Sequence, residues 1–100
     1  MRPRSRPVDS HAEPRVVTLV RRARRHTLRG ESRQAMLAVR EACFAAQNDA
    51  RLWALYGAAC RRARRHEDAK NAIRQAIYLR EREQDVRRAG SLERLLSELE

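Results

Sequence analysis

The chain has 100 residues, a formal net charge of +10 and 36% charged residues. A chain of this length forms one small domain with a modest core, and no stretch reaches the roughly 18 apolar residues that a membrane-spanning helix needs. The arginine excess favours acidic partners, although an Arg- and Ala-rich composition is also what a GC-rich genome encodes.

The first 14 residues differ in composition from the rest of the chain. All three prolines lie there, and residues 1–30 carry nine arginines against two acidic residues, a balance of +7. Because this segment has few apolar side chains to bury, we expect residues 1–14 to form a disordered basic arm. Pro14 suits the first position of a helix, where its missing N–H costs nothing.

Residues 15–100 are predicted to form helices joined by short turns. Proline is absent there, and no strand-like alternation of polar and apolar residues is sustained. Gly30 indicates the end of the first helix, Asp49 a cap for the third, and Gly90 a break before the last. The predicted helices are 15–28, 32–47, 50–65, 68–88 and 92–99.

The sequence contains two candidate repeat periods. The hexamer RRARRH occurs at 21–26 and 61–66, but at that offset of 40 the apolar residues fail to match, since Ala35 falls on Gln75. At an offset of 34 they do match, in the pairs Leu19–Trp53, Ala23–Gly57, Ala35–Ala69, Ala38–Ala72, Val39–Ile73, Ala42–Ala76 and Phe44–Tyr78. Because core positions constrain packing more than surface arginines do, the period of 34 is the structural repeat.

A 34-residue unit of two helices resembles the tetratricopeptide repeat. The second unit, about 50–83, has Trp53 followed by Gly57, and then three residues at the family's spacing, which are Ala69, Ile73 and Ala76. The first unit, about 16–49, has matching residues at Leu19, Ala23, Gly30, Ala35 and Ala42. It departs from the family at Arg22 and His26, where apolar residues are expected, and neither unit ends with the usual proline.

The resemblance implies an all-α fold over residues 15–100, a short α-solenoid of antiparallel helix-turn-helix repeats. We expect a capping helix at about 91–99, with four leucines covering the last repeat, namely Leu92, Leu95, Leu96 and Leu99. Small residues such as Ala23 and Gly57 would let neighbouring helices approach closely.

The resemblance also implies a concave groove that is lined by the first helix of each pair. The groove residues would be Val17, Val20, Arg24, Leu28, Arg51, Arg61 and Arg62. Arginine pairs bidentately with carboxylates, so an apolar floor between guanidinium groups suits an acidic peptide. We therefore expect a non-enzymatic adaptor that binds an acidic partner protein. The Lys and Asn positions with which family members hold a chaperone tail carboxylate are Val20, Arg24 and Leu55 here, so that partner is not expected.

Catalysis and metal binding have little support. The three histidines are scattered, and the sequence contains no Gly-rich phosphate loop and no HExxH. Cys43 and Cys60 lie outside zinc-site spacings, which predicts reduced, buried thiols, no cofactor and a cytoplasmic protein. The apolar run VVTLV is followed at once by two arginines, so a secretory signal is not expected.

The alternative function is that of a basic helical protein that binds nucleic acid. Its arginines would contact phosphates. Against it, Phe44, Trp53, Tyr56 and Tyr78 all fall on predicted packing faces, which leaves no aromatic side chain for stacking on bases.

Assembly is a further expectation. Two repeats bury little apolar surface, and the VVTLV start of the first helix has no predicted cover. We therefore expect either a two-fold homodimer or docking as a subunit on a larger protein.

Overall fold

The computed structural model describes residues 13–100, which form five α-helices and no strand. The helices are α1 (Pro14–Leu28), α2 (Ser32–Ala45), α3 (Ala50–Arg62), α4 (His66–Arg82) and α5 (Val86–Leu99). The all-α prediction is confirmed, and Pro14 begins α1 as expected. Of the predicted basic arm, residues 1–12 lie outside the described residues.

Each helix packs on its neighbours in the sequence. α1 packs on α2, α2 on α3, α3 on α4, and α4 on α5. Turns of three or four residues join the helices, so consecutive helices run antiparallel. The result is a repeat-like array of two helix pairs with α5 as a capping helix, as the sequence predicted.

The core follows the 34-residue register. On α2 and α4 the matched residues are all at most 5% exposed, namely Ala35, Ala38, Val39 and Ala42 with Ala69, Ala72, Ile73 and Ala76. On the first helices Leu19, Ala23 and Gly57 are buried. Trp53 is half-buried, and its ring N–H donates a hydrogen bond to the Gln47 carbonyl oxygen at 2.8 Å.

Phe44 and Tyr78 are exceptions, and the prediction that they pack inward is wrong. Their side chains are 57% and 53% exposed on the outer faces of α2 and α4. The Arg40 guanidinium lies 5.4 Å from the centre of the Phe44 ring, and that of Arg82 lies 5.7 Å from the Tyr78 ring. The residues just before them, at 42–43 and 76–77, are buried instead, so the aromatic rings are rotated away from the core.

Three turns share one backbone conformation. Gly30, Arg64 and Gln84 have φ of +74°, +62° and +59°, and each follows the end of a helix. The residue after each one donates its backbone N–H to a carbonyl five residues earlier at 2.8 Å, in the pairs Glu31–His26, Arg65–Cys60 and Asp85–Arg80. This is the Schellman arrangement, which satisfies the last carbonyls of a helix.

The turn at Gln84 corrects two predicted helix boundaries. α4 ends at Arg82 rather than at 88, and α5 begins at Val86 rather than at 92. Asp85 caps α5, because its side chain accepts a hydrogen bond from the Arg88 backbone N–H at 3.1 Å. Gly90, the predicted break, lies inside α5.

The two RRARRH segments occupy different structural positions, as expected of a chance echo. Arg21 and Arg22 are exposed in the middle of α1, whereas the equivalent Arg61 and Arg62 end α3. The expectation that the VVTLV start lacks cover is corrected for Val16 and Leu19, which are 0% and 3% exposed in the core.

Candidate functional site

Two grooves lie along the array, one between the first helices of the two pairs and one between α3 and the capping helix α5. Groove one runs between α1 and α3, has a volume of about 180 Å³, and is lined by Val20, Ala23, Arg24, Thr27, Val39, Leu55, Ala59 and Arg62. Groove two runs between α3 and α5, has a volume of about 410 Å³, and is lined by Gly57, Ala58, Arg61, Arg62, Ile73, Leu95 and Leu99.

The grooves are related by the 34-residue repeat. Four lining positions of groove one recur in groove two, in the pairs Ala23–Gly57, Arg24–Ala58, Thr27–Arg61 and Val39–Ile73. Arg62 lines both grooves and therefore lies at their boundary. The repeat thus forms one longer surface with two apolar depressions and a guanidinium group between them.

The floor of groove two depends on a close fit of Gly57 against Ile73. A Cβ atom at Gly57 would lie 2.5 Å from Ile73 Cδ1 and 2.9 Å from Ile73 Cγ1, both far shorter than normal contacts. In groove one the equivalent pair is Ala23 and Val39, in which the first residue is larger by one methyl group and the second is smaller by one. Each pair therefore fills a similar space at the bottom of its groove.

The charge of the grooves is positive and uncompensated. None of the described carboxylates lines either groove, and no ion pair within residues 13–100 includes Arg24, Arg61 or Arg62. Other arginines of the array do have acidic partners at 2.9–3.2 Å, in the pairs Arg65–Asp68, Arg80–Glu83 and Arg88–Asp85. The groove guanidinium groups are exposed, so their hydrogen-bond donors face solvent.

The grooves contain four of the seven predicted groove residues. Val20 and Arg24 lie in groove one, Arg61 in groove two, and Arg62 in both. The other three residues, Val17, Leu28 and Arg51, line neither groove.

Each of these three residues lies beyond the part of its helix that borders a groove. Val17 is half-buried one turn before Val20. Leu28 is 82% exposed at the end of α1. Arg51 is in the first turn of α3, where its backbone N–H donates a hydrogen bond to Asp49 Oδ1 at 3.0 Å.

Several lining residues were not assigned to a groove from the sequence. Val39 and Ile73 were treated as core residues only, and Leu95 and Leu99 as parts of the cap. One signal could have identified the floors of the two grooves. Val39 matches Ile73 at the same offset of 34 at which Ala23 matches Gly57. The sequence gives no comparable signal for Leu95 and Leu99, because their place in groove two depends on where α5 packs.

The buried thiols do not form a reactive site. Cys43 and Cys60 are both 0% exposed, and Tyr56 hydrogen-bonds Cys60. Burial raises the pKa of Cys43 to about 12, raises that of Tyr56 to about 12, and raises that of Cys60 as well. All three groups therefore stay protonated at neutral pH, where a nucleophilic cysteine needs its thiolate form.

The other titratable and apolar features of residues 13–100 form no further candidate site. His26 Nδ1 lies 2.6 Å from Glu31 Oε1 in the turn after α1, which gives this histidine a local partner. Residues 13–100 contain no cluster of three His, Cys, Asp or Glu side chains suited to a metal ion. None of the helices described has the length and apolar content to cross a bilayer.

Comparison with known proteins adds no relative to these observations. No family model, curated protein or solved structure matches this chain.

Proposed function

We propose that the chain is a tetratricopeptide-repeat-like adaptor whose two grooves bind an acidic segment of another protein. The observation that carries this proposal is the repeat-related pair of apolar depressions, whose edge arginines form no ion pair within residues 13–100. Such an adaptor needs no catalytic group and no cofactor. Its buried, protonated thiols suit the reducing cytoplasm.

The chemistry of the grooves favours a peptide over a small molecule. Groove two, at about 410 Å³, lies within the ~300–1,000 Å³ range of typical small-molecule pockets, but groove one, at about 180 Å³, is smaller than that range. Groove one suits a single apolar side chain of a longer ligand, and groove two suits another. An acidic residue between them would meet Arg62, whose guanidinium can pair with a carboxylate through two parallel hydrogen bonds.

A different surface, the outward face of α1, bears on assembly. The outward face of α1 is basic rather than apolar, so it offers no apolar surface for a two-fold homodimer. We therefore favour docking of the chain, through its grooves, as a subunit on an acidic partner.

An affinity purification tests the adaptor function. The tagged full chain is incubated with a nuclease-treated lysate of its source, and the retained proteins are identified by mass spectrometry. We expect acidic partners to be retained by the native chain and lost from the variant with Arg61→Glu and Arg62→Glu. Binding should also weaken as salt is raised, because exposed charge pairs are screened.

A matched variant separates the grooves from net charge. Arg33 and Arg87 are exposed, line neither groove and take part in no ion pair within residues 13–100, so Arg33→Glu with Arg87→Glu makes the same change in charge elsewhere. This control should keep the partners. Equal loss from both variants, with both still helical by circular dichroism, would show that only bulk charge attracts the retained proteins.

A further inference from the structure

The outward face of α1 carries a row of arginines that the grooves do not use. This basic stripe consists of Arg21, Arg22 and Arg25 of α1 together with Arg29, the residue that follows the end of α1, and all four are exposed. α1 contains no acidic residue, and no ion pair within the described range includes any member of the stripe. The stripe is therefore a patch of one sign of charge without internal compensation.

The repeat shows which position in the array the stripe occupies. The equivalent residues of α3, 34 positions later, are Leu55, Tyr56, Ala59 and Ala63. Tyr56, Ala59 and Ala63 belong to the packing between α3 and the first helix pair. The stripe thus lies on the face by which a first helix packs on a preceding pair. No described helix packs on that face of α1.

Polarity at the end of a helical array is expected, because terminal repeats need a soluble outer face. Any mixture of polar residues would meet that need. Here all four positions are arginine, with no carboxylate among them, which is more charge of one sign than solubility requires. The composition of this face points to a polyanionic ligand.

We propose that the basic stripe binds the phosphate backbone of duplex DNA without sequence specificity. Arg21, Arg25 and Arg29 succeed one another at one turn each and span about 12 Å along the helix axis. That length matches roughly three to four nucleotides of one strand, at ~3.4 Å per nucleotide. Planar guanidinium groups suit phosphate oxygens.

Two features distinguish this surface from the grooves. None of the stripe arginines lines groove one or groove two, so neither groove gives the stripe an apolar anchor for a peptide side chain. α1 also contains no aromatic residue, and proteins that bind single strands rely on aromatic side chains for base stacking. A row of charges at helical spacing, without a stacking side chain, suits the regularly spaced phosphates of a duplex.

The test is the salt dependence of DNA binding by the full chain. A fluorescent 20-base-pair duplex is titrated by anisotropy between 50 and 200 mM salt. Four phosphate contacts give a slope of log K against log salt of about −3.6, which is a loss of about 150-fold over that range. Replacing three members, with Arg21→Gln, Arg25→Gln and Arg29→Gln, should make the slope shallower by about 2.7.

A second triple variant provides the control. Arg61→Gln, Arg62→Gln and Arg87→Gln remove the same charge from the grooves and from α5, and should leave the slope near that of the native chain. Arginines beyond the described residues contribute equally to both variants. Conversely, the stripe variant should keep the protein partners that the grooves bind. A wrong DNA-binding proposal and a wrong adaptor proposal therefore give different results.

Three outcomes would overturn the proposal. Equal loss of slope in both triple variants would assign binding to net charge alone. Tighter binding of a 20-nucleotide single strand than of the duplex would indicate base stacking instead. Binding to vesicles of phosphatidylserine and phosphatidylcholine, without binding to the duplex, would assign the stripe to a membrane surface. Circular dichroism of both variants confirms that they remain helical.

Discussion

Gly57 and Ile73 form a contact in which the size of one residue limits the size of the other. A methyl group on Gly57 would overlap with the buried Ile73 side chain. The equivalent pair, Ala23 and Val39, distributes the same number of carbon atoms differently. The two residue pairs therefore fill a similar volume through different residues, and we expect each pair to behave as one unit.

A double-mutant cycle tests this coupling. Gly57→Ala should destabilise the chain by a net ~0.5–2 kcal/mol, because overpacking outweighs the higher helix propensity of alanine, and Ile73→Val alone should cost about 0.5–1.5 kcal/mol through loss of a methyl group. Together they recreate the Ala–Val pair of the first unit, and the total cost should fall below the sum by at least ~0.5 kcal/mol. Urea unfolding measures each free energy. The control combines Gly57→Ala with Ile77→Val, which lies on α4 like Ile73 but is not the residue that Gly57 contacts, and its two costs should add. Additivity in both cycles would contradict the coupling.

Cys43, Cys60 and Tyr56 make stability sensitive to alkaline pH. In the folded chain their pKa values are raised by burial, from 9.0 to about 12 for Cys43 and from 10.0 to about 12 for Tyr56. Above pH 9 the unfolded chain therefore releases protons that the folded chain keeps, and the free energy of unfolding falls as pH rises toward 12.

We expect the melting temperature to be constant from pH 7 to 8.5 and to fall between pH 9 and 11. Cys43→Ala, which removes a thiol whose pKa burial raises to about 12, should make that fall less steep. Thermal melts followed by circular dichroism measure both. An identical pH dependence in the variant would argue that Cys43 does not contribute.

At the residue scale, burial was largely predictable from the sequence, because a helix that packs in a fixed register repeats its apolar positions. Ala35, Ala42, Ala69 and Ala76 were placed correctly for this reason. Phe44 and Tyr78 were not, since matching aromatic residues at one offset indicate equivalent positions but not which way those positions face.

The turns decide the element boundaries. Gly30, Arg64 and Gln84 all hold a left-handed conformation, but only glycine adopts it without steric cost. Gly30 was therefore predictable as a helix end, whereas Arg64 and Gln84 gave no signal. Gly90 gave a misleading one, because a Cβ there would meet only the end of the Arg94 side chain, at 4.0 Å, and α5 continues through it.

Glycine at position 64 should stabilise the turn between α3 and α4. Arg64→Gly removes the left-handed penalty of about 1–2 kcal/mol and adds part of glycine's entropic cost, so a net gain of about 0.5–1 kcal/mol is expected. Gly30→Ala is the converse change and should cost about 1 kcal/mol, through the backbone alone, since nothing lies within 4 Å of the added carbon. Chemical denaturation measures both. A loss of stability in Arg64→Gly would contradict the conformational explanation.

At the scale of the whole molecule, the order of packing was predictable and the grooves were only partly so. Short turns between amphipathic helices leave few alternatives to an antiparallel array. The positions of Arg24, Arg61 and Arg62 followed from the register. The far wall of groove two did not, because Leu95 and Leu99 reach it only when α4 ends early and α5 begins at Val86.

The basic stripe makes one end of the array unreceptive to apolar packing. Replacing it with the α3 equivalents, through Arg21→Leu, Arg22→Tyr and Arg25→Ala, should convert that face into an exposed apolar patch. We expect this variant to self-associate in sedimentation velocity at concentrations where the native chain does not. The control changes the same three residues to glutamine, which removes charge without adding apolar surface, and should not self-associate. Association of the control would attribute the effect to lost repulsion.

The packing of each helix only on its neighbours in the chain has a consequence for the order in which the molecule forms. Contacts between residues that are near each other in the sequence require only short loops to form, and folds built from such contacts reach the folded state in about microseconds to milliseconds. The α1–α2 hairpin needs nothing from α5 in order to form. During synthesis it can therefore fold before α5 is made, which leaves groove one assembled, once α3 follows, while groove two still awaits its last wall.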